Sequence, residues 1–138
     1  MTPLKALSIR QPWCHHILCN GKDIENRTWP TKFRGQVLIH ASKTFDGPAA
    51  ERRNFVSTFD HGVECTDMGG IVGVMDIVDC VEHSDSEWFH GPYGFVIANA
   101  RPLPFIPCHG ALGFFNLPLN IRGLVRLALE DLLEGRAA

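Results

Sequence analysis

The sequence predicts an α+β fold: a compact, partly closed β-barrel of five to six short strands, with small helices in its connections and an amphipathic helix near its C-terminus. Three observations predict it. Ile71 to Val81 is one long apolar run, the strongest strand signal in the chain. The other extended segments are short with only small helices between them, unlike the strand–helix alternation of a doubly wound sheet. Asn120 to Glu134 places Ile121, Leu124, Val125, Ala128, Leu129 and Leu132 at helical spacing.

Leu4 to Ile9 reads as the first strand. Pro12 suits the first position of a helix, where its fixed φ fits and its missing N–H is not needed. Trp13, Ile17 and Leu18 share a face of that helix, and Asn20-Gly21 ends it, with Gly21 as a left-handed stop. Ile24 to Arg27 is extended. Trp29-Pro30-Thr31 is loop, because a residue before proline avoids the helical region. Gln36 to His40 is a strand entered through Arg34-Gly35. Pro48 to Phe59 forms a helix with Asp46 as its N-cap, and residues 60–69 are polar loop. Ser84 and Glu87 match a capping box for a short helical turn near Trp88. Tyr93 to Ala98 is a strand, and Pro102, Pro104 and Pro107 make the next segment an irregular edge strand. Phe114, Phe115 and Leu117 return to the sheet. The expected organisation is one domain over 1–138, with a core of about 4–118 and an added helix over 119–135.

With 138 residues, 45% of them apolar and 20% charged, the chain fits a globular domain that buries a core without staples. No apolar run approaches the roughly 20 residues of a membrane span. No charged segment leads into a long apolar one at the N-terminus, so no export signal and no membrane partner are expected. The five cysteines are odd in number and lack framework spacing, which argues against a disulfide scaffold and for a reducing, cytoplasmic setting. There is no C-x-x-C, and Cys14-His15-His16 and Cys108-His109 have no second pair to complete a tetrahedral site. No metal and no cofactor is expected. Charge is unevenly placed: residues 1–53 carry nine Lys/Arg against four acids, and residues 54–100 carry eight acids with no Lys or Arg. Such asymmetry builds a local cationic face or is neutralised within the fold.

Two stretches concentrate chemistry: Ser8-Ile9-Arg10-Gln11-Pro12-Trp13, and Gly21-Lys22-Asp23-Ile24-Glu25-Asn26-Arg27. Brought together, their cations, anions, amides, hydroxyl and aromatic ring would grip a polar, flat ligand such as a nucleobase. Ser8 and Arg10 alternate with Leu7 and Ile9 and so share a polar face. Gln11 reads a base edge or caps the helix. Strand alternation puts Asp23, Glu25 and Arg27 on one face, and Lys22 joins Glu25 only from the turn after Gly21. Glu25 accepts from an exocyclic amine or acts as a general base, with Lys22 and Arg27 holding phosphate or polarising a carbonyl; the alternative is a Glu25–Arg27 ion pair that fixes the strand. Trp13 and Trp29 are stacking platforms, at roughly 1–3 kcal/mol per base, or core residues. His40, Ser42 and Lys43 end a buried strand where it would face a barrel mouth, and Lys43 with Arg34 would reach phosphates there. His40 is a base or a satisfied core histidine. Asp76, inside the apolar run, is a lumen carboxylate with partners or a wet-face group.

Leu7-Ser8-Ile9-Arg10-Gln11-Pro12-Trp13, Gly21-Lys22-x-Ile24-Glu25-x-Arg27-x-Trp29, Arg34-Gly35, Ile39-His40-Ala41-Ser42-Lys43 and Gly70-Ile71-Val72-Gly73-Val74 occur in that order. In this the chain resembles the ASCH domain family over roughly residues 4 to 118. The resemblance implies a PUA-like barrel, a fold shared with RNA-binding modules and readers of modified bases, with a cleft between the barrel and the first helix. It implies recognition of RNA, or of a nucleotide or modified base, by Ser8, Arg10, Gln11, Trp13, Arg27, Trp29, Arg34, His40, Ser42 and Lys43. A second implication is a small hydrolase acting on a modified nucleoside or on RNA, with Lys22, Glu25 and Asp76 as its polar core. In the branch that hydrolyses an acetylated cytidine nucleoside, a Thr nucleophile stands where this chain has Glu25, and a carboxylate does not replace an activated hydroxyl. A third expectation is a protein-interaction module, a homodimer formed through the C-terminal helix.

Overall fold

A computed structural model describes residues 4–58 and 66–135 of the chain. Its elements are β1 (Lys5–Gln11), α1 (Trp13–Cys19), β2 (Ile24–Arg27), β3 (Gly35–Phe45), α2 (Ala49–Thr58), β4 (Gly70–Val81), β5 (Tyr93–Pro107), β6 (Phe114–Asn116) and α3 (Leu119–Leu133). The strands form one sheet in the order β2-β5-β4-β3-β1-β6. β1 and β3 run parallel, and every other pair is antiparallel. This is the α+β fold expected. The sheet is not closed, and β2 and β6 are its edges. Aromatic packing spans the gap between them: Trp29, just after β2, meets the ring of Phe95 edge-on at 5.2 Å and that of Phe114 at 5.8 Å. Phe33 stacks on Phe114 at 4.8 Å.

The apolar run of β4 is long because both faces of the sheet are covered. On one face Val72, Met75 and Ile77 join Leu7, Ile9, Val37, Ile39 and Phe95 beneath Cys14 and Ile17 of α1. On the other, Ile71 and Val74 join Ala6, Leu38, Leu103 and Ile106 beneath Ile121, Val125 and Ala128 of α3. The apolar face of the C-terminal helix therefore packs on this domain. Leu124 departs from the expected apolar face and is 53% exposed.

Several boundaries differ from the sequence reading. Pro12 precedes α1, which begins at Trp13; its carbonyl accepts the His16 amide at 3.0 Å. Gly21 takes the left-handed conformation expected of it, at φ 71°. β3 runs past His40 to Phe45. α2 begins at Ala49, so Asp46 is not its N-cap; its carboxylate instead accepts the Trp13 indole N–H at 2.7 Å. Phe59 and most of the loop expected over 60–69 lie outside the described residues. Ser84 and Glu87 form no capping box: the Ser84 hydroxyl accepts the Ser86 amide, and no helix follows. The two segments read separately over 93–98 and 102–107 are one strand, β5, with three register shifts against β4. β2 pairs only with Tyr93–Val96 of it, so the prolines fall where its outer side has no strand neighbour.

Candidate ligand-binding cleft

The side chains that end β1, β2 and β3 face a cleft of about 950 Å³, closed on its far sides by the Trp88–Gly91 and Cys108–Gly113 loops. Ser8, Arg10, Trp13, Lys22, Glu25, Arg27, Trp29, His40, Ser42 and Lys43 line it. Three candidates do not. Gln11 is fully buried and structural: its side chain donates to the Asp67 carbonyl at 3.1 Å and accepts the His15 amide at 3.0 Å. Arg34 points outside, donating to the Thr31 and Phe33 carbonyls and lying 3.6 Å from an exposed Asp79 carboxylate. Asp76 lies away from the cleft because it pairs with Gln36 at the start of β3, at the far end of that strand from His40, Ser42 and Lys43. Its carboxylate accepts from the Asn99 amide at 2.9 Å.

At one end of the cleft Lys22 sits in the turn before β2, the position that lets it join Glu25. It is buried, its Nζ donates to the Ile24 carbonyl, and it lies 5.5 Å from the Trp13 ring and 5.6 Å from the Trp88 ring. Both distances fall within cation–π range. Glu25 is also buried, and one of its oxygens accepts from Arg27 Nε at 3.0 Å and lies 2.9 Å from Nη2. The ion pair anticipated as a strand-fixing device therefore exists, and it forms a wall of the cleft. Arg27 also donates to the Ser8 carbonyl at 2.7 Å, tying β2 to β1. Burial pushes the Glu25 carboxyl above its ordinary range, and the Arg27 and Lys22 charges oppose that shift without overcoming it. Burial likewise pulls the Lys22 ammonium down against the pull of Glu25 and Asp23.

Trp88 is the main cleft residue that the sequence reading did not place. Nothing in the local pattern around it signals a site. Its position is set from β2: the Asn26 amide donates to the Trp88 carbonyl at 2.9 Å, and its oxygen accepts the His90 and Gly91 amides at 2.8 and 3.0 Å. His16 of α1 packs against the Trp88 ring at 5.5 Å. One asparagine therefore organises the loop that brings an indole over Lys22. Trp29 lines the cleft but serves mainly as packing, its edge against Phe95 and Phe114. At the opposite end, His40 is held at both nitrogens, with Ser8 Oγ 2.7 Å from Nδ1 and the Cys108 carbonyl 2.6 Å from Nε2.

The fold and the cleft define a small α+β domain that carries a polar, aromatic-walled recess at the ends of its first strands. Residues 7–105 match the ASCH domain family model, and the chain belongs to that family. ASCH domains are PUA-like folds generally considered to bind RNA. No curated protein matches the chain.

Proposed function

We propose that this ASCH domain binds unpaired RNA, or a nucleotide from it, by taking a base into the Trp13–Trp88 end of the cleft. One observation carries the reading: two indoles flank a buried ammonium beside a buried carboxylate, in an open recess large enough for a nucleotide. The indoles supply sequence-tolerant stacking. Glu25, held by Arg27, accepts from an exocyclic amine on the base edge. Arg10 and Lys43, exposed on the wall, meet phosphates. Unpaired strands are favoured because stacking needs both faces of a base to be accessible. The hydrolase reading built on Lys22, Glu25 and Asp76 loses support, because Asp76 is not in the cleft.

Fluorescence titration of short single-stranded RNA at low salt tests this. Trp88→Ala is expected to weaken binding by about 1–3 kcal/mol, the range for one stacked base. Because Trp88 sits in a loop held by the Asn26 side chain, the fold is expected to survive the change. Wild-type protein that does not bind at low salt, where phosphate contacts are strongest, removes the reading.

A further inference from the structure

Ser8 and His40 are register partners on the parallel pair β1–β3, on the sheet face that Ala6 and Leu38 occupy farther along the strands. Their side chains meet at 2.7 Å between Ser8 Oγ and His40 Nδ1. The far nitrogen, Nε2, lies 2.6 Å from the Cys108 backbone carbonyl, a group that can only accept. In the neutral ring the proton is therefore on Nε2 and the lone pair is on Nδ1, so the Ser8 hydroxyl is the donor. Burial pulls the His40 imidazolium below its ordinary value of 6.5, which keeps the ring neutral. A hydroxyl donating to an imidazole whose other nitrogen is fixed by a third group is the arrangement that activates a serine.

A structural hydrogen bond between two strands would share that geometry, but two further features point past it. The pair opens onto the cleft, with Ser8, His40, Cys108 and Gly110 all on its wall. And the backbone at Gly110 passes so close that a Cβ built there would sit 2.5 Å from Ser8 Oγ and 2.6 Å from His40 Cε1. Any larger residue at 110 would crowd the hydroxyl.

We infer that Ser8 and His40 form a nucleophile–base pair that hydrolyses carboxylic esters of small acyl groups. The Ser8 proton passes to His40 Nδ1 as Oγ bonds to the acyl carbon. The ester C–O bond breaks, and the leaving alkoxide takes the proton from Nδ1. Water then attacks the acyl-serine by the same route, His40 taking its proton and returning it to Ser8 Oγ, and the carboxylic acid leaves. The close passage of Gly110 restricts the acyl group to a small one. This chemistry does not depend on whether RNA occupies the Trp13–Trp88 end.

The test is p-nitrophenyl acetate as an acyl donor, followed by release of p-nitrophenolate and by peptide mass mapping of the quenched protein. The expected result is a burst of p-nitrophenolate with acetyl on Ser8. Ser8→Ala abolishes both, and His40→Gln slows the burst by about 10²–10⁴-fold, the usual worth of a positioned base. Acetyl found only on other residues, or a burst unchanged in a folded Ser8→Ala, overturns the inference. If neither variant folds, the mapping of the wild-type protein decides alone: Ser8 acetylated supports it, Ser8 unmodified overturns it.

Discussion

Glu25 is a buried carboxylate between two cations, and the sign of its contribution depends on whether attraction or desolvation is larger. Arg27 contacts it directly and Lys22 adds to the attraction, yet burial still shifts its proton affinity upward. A carboxyl whose folded pKa lies above its unfolded value contributes stability while it is protonated. That contribution is complete below the ordinary value of 4.5 and is lost as pH rises through the folded value. Glu25→Gln, which keeps the shape and a hydrogen-bonding oxygen for Arg27, is therefore expected to compare better with the wild type at neutral pH than at pH 4.5. Urea unfolding of both proteins across that range measures it. A deficit that grows toward neutrality would mean that the cations outweigh burial. The residues forming this wall were legible in sequence as charges at close spacing. Asp76 was misleading for the same reason: a carboxylate inside an apolar run reads as a lumen or wet-face group, and only the register of β4 on β3 shows that it sits opposite Gln36, at the end of the strands away from the cleft.

At the scale of elements, α3 holds the clearest contrast between covered and uncovered surface. Val125 is fully buried against the α3-side core, whereas Leu127 is 61% exposed and Leu119 and Leu133 are each 80% exposed. Val125→Ala removes two buried methyl groups and is expected to cost about 2 kcal/mol by thermal or urea unfolding. Leu127→Glu is expected to change stability by no more than about 0.5 kcal/mol. If the exposed leucines pair two copies of the chain, as the homodimer expectation holds, Leu127→Glu also sediments at a lower mass than the wild type. Helix periodicity identified α3 well, because one face of a helix carries its whole burial signal. β5 was read in two pieces because prolines interrupt any strand pattern. It is continuous because β4 hydrogen-bonds one side of it while the other side, past Ile97, asks nothing of the proline nitrogens. Trp88 had no signal at all, since a loop fixed by the side chain of a residue some sixty positions earlier leaves no local periodicity.

Across the whole molecule, the formal net charge of -2 repels nucleic acid, so any phosphate attraction must be local. The cations on the cleft wall, Arg10, Lys22, Arg27 and Lys43, all come from the first third of the chain, which carries the positive excess. Two of them are committed inward, Lys22 by burial and Arg27 by Glu25. Arg10 and Lys43 remain exposed on the wall. A single strand held by two phosphate contacts has a slope of log K against log salt of about -1.4, at about 0.7 per contact. Lys43→Glu is expected to flatten that slope by at least about 0.7 while leaving the stacking signal at Trp88 in place, because the two residues act on different parts of the ligand. Equilibrium titrations of wild type and variant over a range of salt separate the two effects. A wild-type slope much steeper than this would mean that phosphates track over a broader surface than the cleft. An unchanged slope in Lys43→Glu would put them away from the β3 wall, and the acid-rich residues 54–100 leave few other places for them to lie.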